Sequence, residues 1–319
     1  MSLVRPNAVI TLSGRSYTAA EAALMRMRVA LSVRGAHDGV ALTVWPSSKL
    51  ARADIGAKIS VALGPSGSEV DVWSGEVNAV AASPDALSIT GLASTAALSR
   101  TRISQTYMDQ SVADIVRALA ASVDLDQVES DLSLPAYTVD DRRAVWGHLL
   151  DLAAMAGAEV GASSSGALRF VPVRTGSANL TLRHGAEVIA WRLAAQAAPD
   201  APAVAAYGAA SEAGADQWHW ILSSPAPQGN GPFLRLVPAV RTREGADAMA
   251  RALASRAARA ATCGRLGLVG RADVRPGDLV DIAGLPGNSP GTLRVLEVDH
   301  LLDPGQGFMT ALTVQGASA

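Results

Sequence analysis

The chain has 319 residues, a formal net charge of −2, 49% apolar residues and only 4% aromatics. That length allows two or more domains, and near-neutrality excludes long-range steering toward nucleic acid or acidic lipid. The single cysteine, Cys263, excludes an intrachain disulfide framework and every cysteine-based zinc motif. The opening "MSLVRPNAVITLSG" lacks a charged segment followed by a long apolar run, so no secretion signal is expected. No segment has the ~20 consecutive apolar residues of a membrane helix. These features predict a soluble protein made in the cytoplasm, without membrane insertion or specific nucleic-acid binding.

The first hundred residues read as β-rich. In "LMRMRVALSVR" (24–34), Met25, Met27, Val29, Leu31 and Val33 share one face, and Arg26, Arg28, Ser32 and Arg34 share the other. Period two with a polar face marks a half-buried strand. Asp38-Gly39 is a hairpin signal, and "VALTVW" (40–45) returns. Further strands are expected at 58–63, 70–80 and 86–92.

The period then changes. In "SVADIVRALAASV" (111–123), Val112, Ile115, Val116, Leu119 and Val123 fall at helical spacing, with Ser111 as cap and Asp114 in the capping-box position. A second helix runs through "DRRAVWGHLLDLAAMAG", with Trp146, Leu149, Leu150 and Ala153 on one face, Asp140-Asp141 at its start and Gly157 as C-cap. "AEVGASSSGALRFVP" follows as a hairpin. Strands are expected next, then "GADQWHWILSSPAPQGNGPF", which is loop-like. A third helix is expected at 243–261, with Ala246, Met249, Ala250, Leu253 and Ala257 as its stripe, Arg256 and Arg259 in its last turns, and Gly264 ending it. Strands fill the rest.

An internal similarity runs through this order. "ADIGAKISVALG" from Ala53 resembles "ADVRPGDLVDIAG" from Ala272, "WSGEVNAV" (73–80) resembles "LRVLEVDHLL" (293–302), and "ALSITGLA" (86–93) resembles "FMTALTVQG" (308–316). Unrelated β-meanders with glycine turns align in this way too. If it is a true duplication, the chain is mainly β with an α+β insert. It would hold two similar tube-type β-barrel domains, at 1–100 and 176–319 with one helix near 243–261. A small α/β module at 101–175 would lie between them. A trimer of such chains would present a pseudo-sixfold ring and would shield its strand edges.

No catalytic constellation rises above background. "GLPGNSPG" lacks the lysine of a phosphate loop and reads as turn chemistry. Asp299 and His300 are neighbours on a strand, so they point to opposite faces, and His300 is expected in a polar or interface contact. "QWHW" (217–220) places Trp218 and Trp220 together, for packing or as a platform for sugar or bases. The five histidines (His37, His148, His184, His219, His300) show no ligand spacing. Cys263 reads as a small buried residue. "GASSSG" is no nucleophile elbow, and "NLT" at Asn179 matters only in a eukaryotic secretory setting. The expectation is a non-enzyme with no catalytic or metal-ligating residues and no cofactor.

Several runs together resemble the phage late control D family, the tail hub proteins of contractile phages. "TYMDQSVADIVRALAASVDLD" is similar to a helix near the middle of that family. "DDRRAVWGHLLDLAAMAGAEVGASSSGALRFVP" resembles its helix-and-hairpin segment, and "GRLGLVGRADVRPGDLVDIAGLPGNSPGTLRVLEVDHLLDPGQGFMTALTV" its final section. The runs cover roughly Thr106 to Val314; the first hundred residues match only in β character. The resemblance implies a homotrimeric baseplate hub whose two barrels per chain form a pseudo-sixfold ring. That ring adapts a sixfold tail tube to a threefold spike. Implied partners are further copies, the spike, the tube and other baseplate proteins. The implied location is the baseplate of a virion or contractile injection particle assembled in the bacterial cytoplasm. Type VI secretion spike proteins share this hub fold with a fused spike. This sequence closes on "LTVQGASA", which predicts a separate spike protein, and no lysozyme domain is evident. The alternatives are a cell-wall-binding or cell-wall-degrading tail component, or the hub of a non-contractile tail.

Overall fold

The structure is a computed structural model that describes residues 6–206, 227–286 and 291–317. The first seven strands are β1 (Pro6–Leu12), β2 (Arg15–Thr18), β3 (Leu24–Ser32), β4 (Gly39–Val44), β5 (Lys58–Pro65), β6 (Val70–Ala82) and β7 (Leu87–Leu92). All pair antiparallel, in the order β3-β4-β7-β6-β5-β1-β2. The alternation along β3 is realised: Met27, Val29 and Leu31 are buried, while Arg26 and Arg28 are exposed. Period two is decisive here because only one face of this stretch of sheet meets the core.

The middle of the chain forms β8 (Gln105–Ser111), α1 (Val112–Leu119), β9 (Leu125–Val128), β10 (Ser133–Val139), α2 (Val145–Ala156), β11 (Ala158–Ala162) and β12 (Leu168–Pro172). Ser111 caps α1: its hydroxyl oxygen accepts the Asp114 N–H at 3.1 Å and its O–H donates to the Asp114 carboxylate at 2.7 Å. The helix stops at Leu119, short of Val123, which turns back to bond Ala120. Gly157 ends α2 in the left-handed region at φ +64°, as expected of a C-cap glycine. Asp140 does not cap α2, whose N-cap is Ala144. The Asp140 carboxylate instead accepts the Arg142 N–H at 3.0 Å and holds the turn before the helix. The hairpin β11–β12 turns at Gly166, φ +83°.

The last part contains β13 (Leu180–Arg183), β14 (Val188–Ala195), β15 (Ala203–Ala205), β16 (Leu234–Leu236), α3 (Arg243–Arg259), β17 (Thr262–Val269), β18 (Leu279–Ala283), β19 (Leu293–Asp303) and β20 (Gly307–Gly316). Thr242 caps α3 by accepting the Gly245 N–H. Gly264 does not end this helix. It lies in β17, where a Cβ would stand 2.2 Å from the Arg192 carbonyl oxygen of β14. Its role is close strand approach rather than chain reversal.

Strands β14, β17, β20 and β19 repeat the arrangement of β3, β4, β7 and β6, register included. Val40 faces Gly91 and Leu42 faces Ile89 in the first set; Gly264 faces Val314 and Leu266 faces Leu312 in the second. Both sets carry the same two β-bulges. One lies between Leu24 and Arg26 and recurs between Val188 and Ala190. The other lies between Val77 and Ala79 and recurs between Val295 and Glu297. Bulges fix register, so two shared bulges across four strands are strong evidence of duplication. The sequence similarity paired the correct strands, β5-β6-β7 with β18-β19-β20. The registers shift the residue match: Gly75, rather than Trp73, takes the place of Leu293, and Val80 that of Val298.

Both sets belong to one continuous sheet, β14-β17-β20-β19-β3-β4-β7-β6-β5-β1-β2, with β13 and β18 attached beside β19. One hydrophobic core serves both, from Ile10, Leu42, Trp73 and Ile89 to Val295, Leu312 and Val314. A second core holds the α/β module, with Ile115, Trp146, Leu149 and Phe170. The α3 stripe residues Ala246, Met249 and Ala250 pack into this second core. The fold is therefore two similar barrel-type β units with an α/β module between them in sequence. Among the described residues, no helix is long and apolar enough to cross a membrane.

Candidate assembly surface

The two β units meet where β19 pairs antiparallel with β3, Glu297 opposite Ser32 through Leu302 opposite Met27. The bulge at Leu296 is the switch point along β19. Before it, Leu293 and Arg294 pair with β18; after it, the same edge pairs with β3. Met27, Val29, Leu31, Val298 and His300 are buried at this seam. On the other face, Arg28 Nε donates to Asp299 Oδ1 at 2.8 Å. Asp299 and His300 thus point to opposite faces, as the strand period requires.

His300 is fully buried, with Nδ1 3.0 Å from the Thr310 hydroxyl and its ring beside Phe308. Burial pushes its pKa down to about 3, and the charge of Arg275 adds to the shift. An imidazole held neutral near neutral pH in this sealed position packs against Phe308 and makes a polar contact with Thr310.

Polar contacts fasten the module and the second unit to the first. The Trp146 indole N–H donates to the Gly35 carbonyl at 2.8 Å. The His37 ring stacks 4.3 Å from the Trp146 ring and bonds Thr95 and Ser99. The Ser94 hydroxyl donates to the Gly166 carbonyl at the β11–β12 turn. From the second unit, the Arg275 guanidinium donates to the carbonyls of Val72, at 3.1 Å, and Asp71. Arg294 of β19 forms a buried ion pair with Glu159 of β11. Burial lowers the Arg294 pKa to about 10, which leaves it charged at neutral pH. A cleft of about 320 Å³ at this junction is lined by Ser32, Asp38, Glu159, Arg169 and Arg275, among others. Asp38, read from the sequence only as a turn residue, is buried there and accepts the Ser32 N–H at 2.7 Å. Burial raises its pKa to about 7, against the opposing effects of that hydrogen bond and of Arg275.

The other residues singled out from the sequence stay apart. His148 bonds Tyr137 inside the module, and His184 makes an edge contact with Trp191. Cys263 is half-buried on β17, opposite Ala194 and Gln315, and so is less enclosed than a core residue. Asn179 bonds Asp278 and the Leu279 N–H, tying β13 to β18. "QWHW" and residues 287–290 of "GLPGNSPG" lie outside the described residues. Among the described residues, no group of three or more His, Cys, Asp or Glu side chains is placed to hold a metal.

What the described surface does offer is open strand edge. Among the described residues, β6 beyond its bulge pairs only with β7; Asn78, Ala79, Ala81 and Ala82 are exposed. At the far end of the sheet, β14 pairs with β17 on one side, and Ile189 and Trp191 are exposed. Long, apolar, weakly charged edges invite pairing with another chain.

Neither a family model nor a curated protein matches the sequence. Solved structures do match. The 43 kDa tail protein of prophage MuSo2 from Shewanella oneidensis superposes with a TM-score of 0.71 at 15% identity, over 98% of each chain. A tail protein from Neisseria meningitidis MC58 gives 0.73 at 13% identity, over 98% of this chain and 96% of its own. An E. coli component of the type VI secretion system, itself described as similar in structure to T4 phage tail proteins, gives 0.62 at 11% identity, over 92% of this chain and 74% of its own. At these identities the likeness is one of fold: the chain shares the fold of these phage tail and type VI secretion proteins.

Proposed function

We propose that the chain is a structural hub of a contractile phage tail or related injection particle, a homotrimer and not an enzyme. The observation that carries this reading is the duplication: each chain holds two copies of one four-stranded arrangement, joined edge to edge through β19 and β3. Three such chains would present six equivalent sheet units around an axis. One face of that ring would suit a sixfold tube and the other a threefold spike. The role is mechanical, to seat the spike, nucleate the tube and open a channel once the spike departs. Its partners would be the spike, the tube protein and neighbouring baseplate proteins, at a particle baseplate assembled in the bacterial cytoplasm. The enclosed, neutral His300 and the scattered positions of the other candidate residues support a structural role. The test is co-purification with candidate spike and tail tube proteins. Stable complexes with both are expected; failure to bind either would overturn the reading.

A further inference from the structure

We propose that the groove between the β9–β10 connection and the N-terminal half of α3 docks an extended segment of a partner protein that carries lysine or arginine. The groove holds about 680 Å³, within the ~300–1,000 Å³ usual for binding pockets. This goes beyond the hub reading and does not rest on it.

Two walls of different make form the groove. One is the consecutive run 129–135. Neighbouring residues of an extended chain point to alternate faces, so a wall of consecutive residues is a backbone edge rather than a sheet face. The run ends in β10, which pairs only with β8 among the described residues. Pro135 stands in this part of β10 and has no N–H to donate, and proline is a common guard against strand addition. An occupant is therefore held by side-chain and charge contacts, not by a full strand ladder. The other wall is α3. Glu244, Ala248 and Arg251 lie on one face of that helix, turned away from the buried Ala246, Met249 and Ala250. Leu132, Leu134, Pro135, Ala156, Ala158 and Ala248 give the groove its apolar lining.

Charge identifies the occupant. Asp109, Glu129, Asp131 and Glu244 also line the groove, brought together from β8, the β9–β10 connection and α3. All four are exposed. Among the described residues none of them forms an ion pair, whereas Asp114, Asp126 and Asp151 of the same module pair with Arg117, Arg169 and Arg143. Glu244 also complements the N-terminal end of the α3 dipole. Arg251, the one cation among the described lining residues, is held by Asp247 at 3.0 Å. The wider module has the same sign: residues 105–172 carry ten carboxylates and four arginines, a net −6, in a chain whose total is −2. The rest of the chain is thus net positive, and the module is the part that complements a basic partner. An extended segment that alternates cations with apolar residues would meet the carboxylates and the apolar lining together.

The test uses the full chain and a short fluorescein-labelled peptide that alternates lysine with leucine and serine, read by fluorescence anisotropy at about 0.15 M salt. Saturable binding is expected, and the same peptide with every lysine replaced by glutamate should not bind. Glu129 and Asp131 are exposed, so Glu129→Gln with Asp131→Asn leaves the fold intact, which an unchanged melting temperature verifies. This double variant should weaken binding about fivefold or more. Asp124→Asn with Asp141→Asn removes the same charge from exposed positions outside the groove and should weaken it less than about twofold. Ala248→Phe fills the groove without changing its charge and should weaken binding about tenfold. Equal weakening by the two double variants would overturn the groove, because the attraction would then be to net charge alone. Binding untouched by Ala248→Phe, equal binding of the glutamate peptide, or no saturable binding would overturn it too. Self-association of the chain that Ala248→Phe abolishes would assign the groove to a second copy and overturn the partner. Each of these results leaves the hub reading standing, since that reading is decided by complexes with spike and tube proteins.

Discussion

Glu159 on β11 and Arg294 on β19 form an almost fully enclosed ion pair, the two side chains 8% and 3% exposed. It links the α/β module to the strand that carries the seam between the β units. Removing one member leaves a buried charge without its counter-ion, which costs about 3–5 kcal/mol, whereas replacing both by apolar groups is often neutral. Glu159→Gln is therefore expected to lower stability by about 3 kcal/mol or more in urea unfolding. The double variant Glu159→Leu with Arg294→Met should recover most of that loss.

The pair between Arg28 and Asp299 crosses the seam itself, but its side chains are 59% and 40% exposed. Water screens such pairs. Asp299→Ala should change stability by no more than about 1 kcal/mol and leave the seam closed. The same urea measurement separates the two pairs, because a seam held by surface charge would be markedly destabilised by Asp299→Ala.

Packing across the duplicated strands exchanges volume between partners. Val40 faces Gly91 in the first unit, and Gly264 faces Val314 in the second. A Cβ on Gly91 would come within 2.7 Å of the Trp73 ring. Gly91→Val and Gly264→Val should each cost about 1–3 kcal/mol through overpacking, read as a lowered melting temperature. Gly56, with φ +84° and nothing within 4 Å of a Cβ, lacks that steric term. Gly56→Ala should carry only the conformational cost of a left-handed residue.

This exchange also shows what the sequence concealed. The alternation in β3, the helical spacing of α1 and α2, the Gly157 cap and the β11–β12 hairpin were all legible, because each rests on local period or turn chemistry. The match of β5-β6-β7 with β18-β19-β20 was legible as an echo. Its extension to β3 with β14 and β4 with β17 was not, because small and large residues trade places between partners and the bulges shift the count. The seam itself had no local signal: it joins residues 27–32 to 297–302, and long-range pairing leaves no mark on nearby sequence. Gly264 and Asp140 were misread for a related reason. A glycine after a helix and an aspartate before one look like caps, but one answers to a neighbouring strand and the other to its own turn.

Two buried groups give the protein opposing responses to pH. Folding raises Asp38 to about 7, so the folded state holds a proton that the unfolded chain gives up, and stability falls as pH rises from about 4 toward that value. Folding lowers His300 to about 3, so the unfolded imidazole takes up a proton that the folded one refuses, and stability falls as pH drops below about 6.5. Each slope is at most about 1.4 kcal/mol per pH unit, and the two offset each other between about pH 4 and 6.5. Relative to wild type, the melting temperature of Asp38→Asn should therefore rise as pH climbs through this window, and that of His300→Gln should fall. Parallel curves for all three proteins would contradict this assignment.

The central claim is that two sheet units per chain build a closed ring of three chains. Native mass measurement of the purified protein at micromolar concentration tests it most directly. The account predicts a single species at three times the 32.7 kDa chain mass. A stable monomer under those conditions, or a closed dimer, would contradict it.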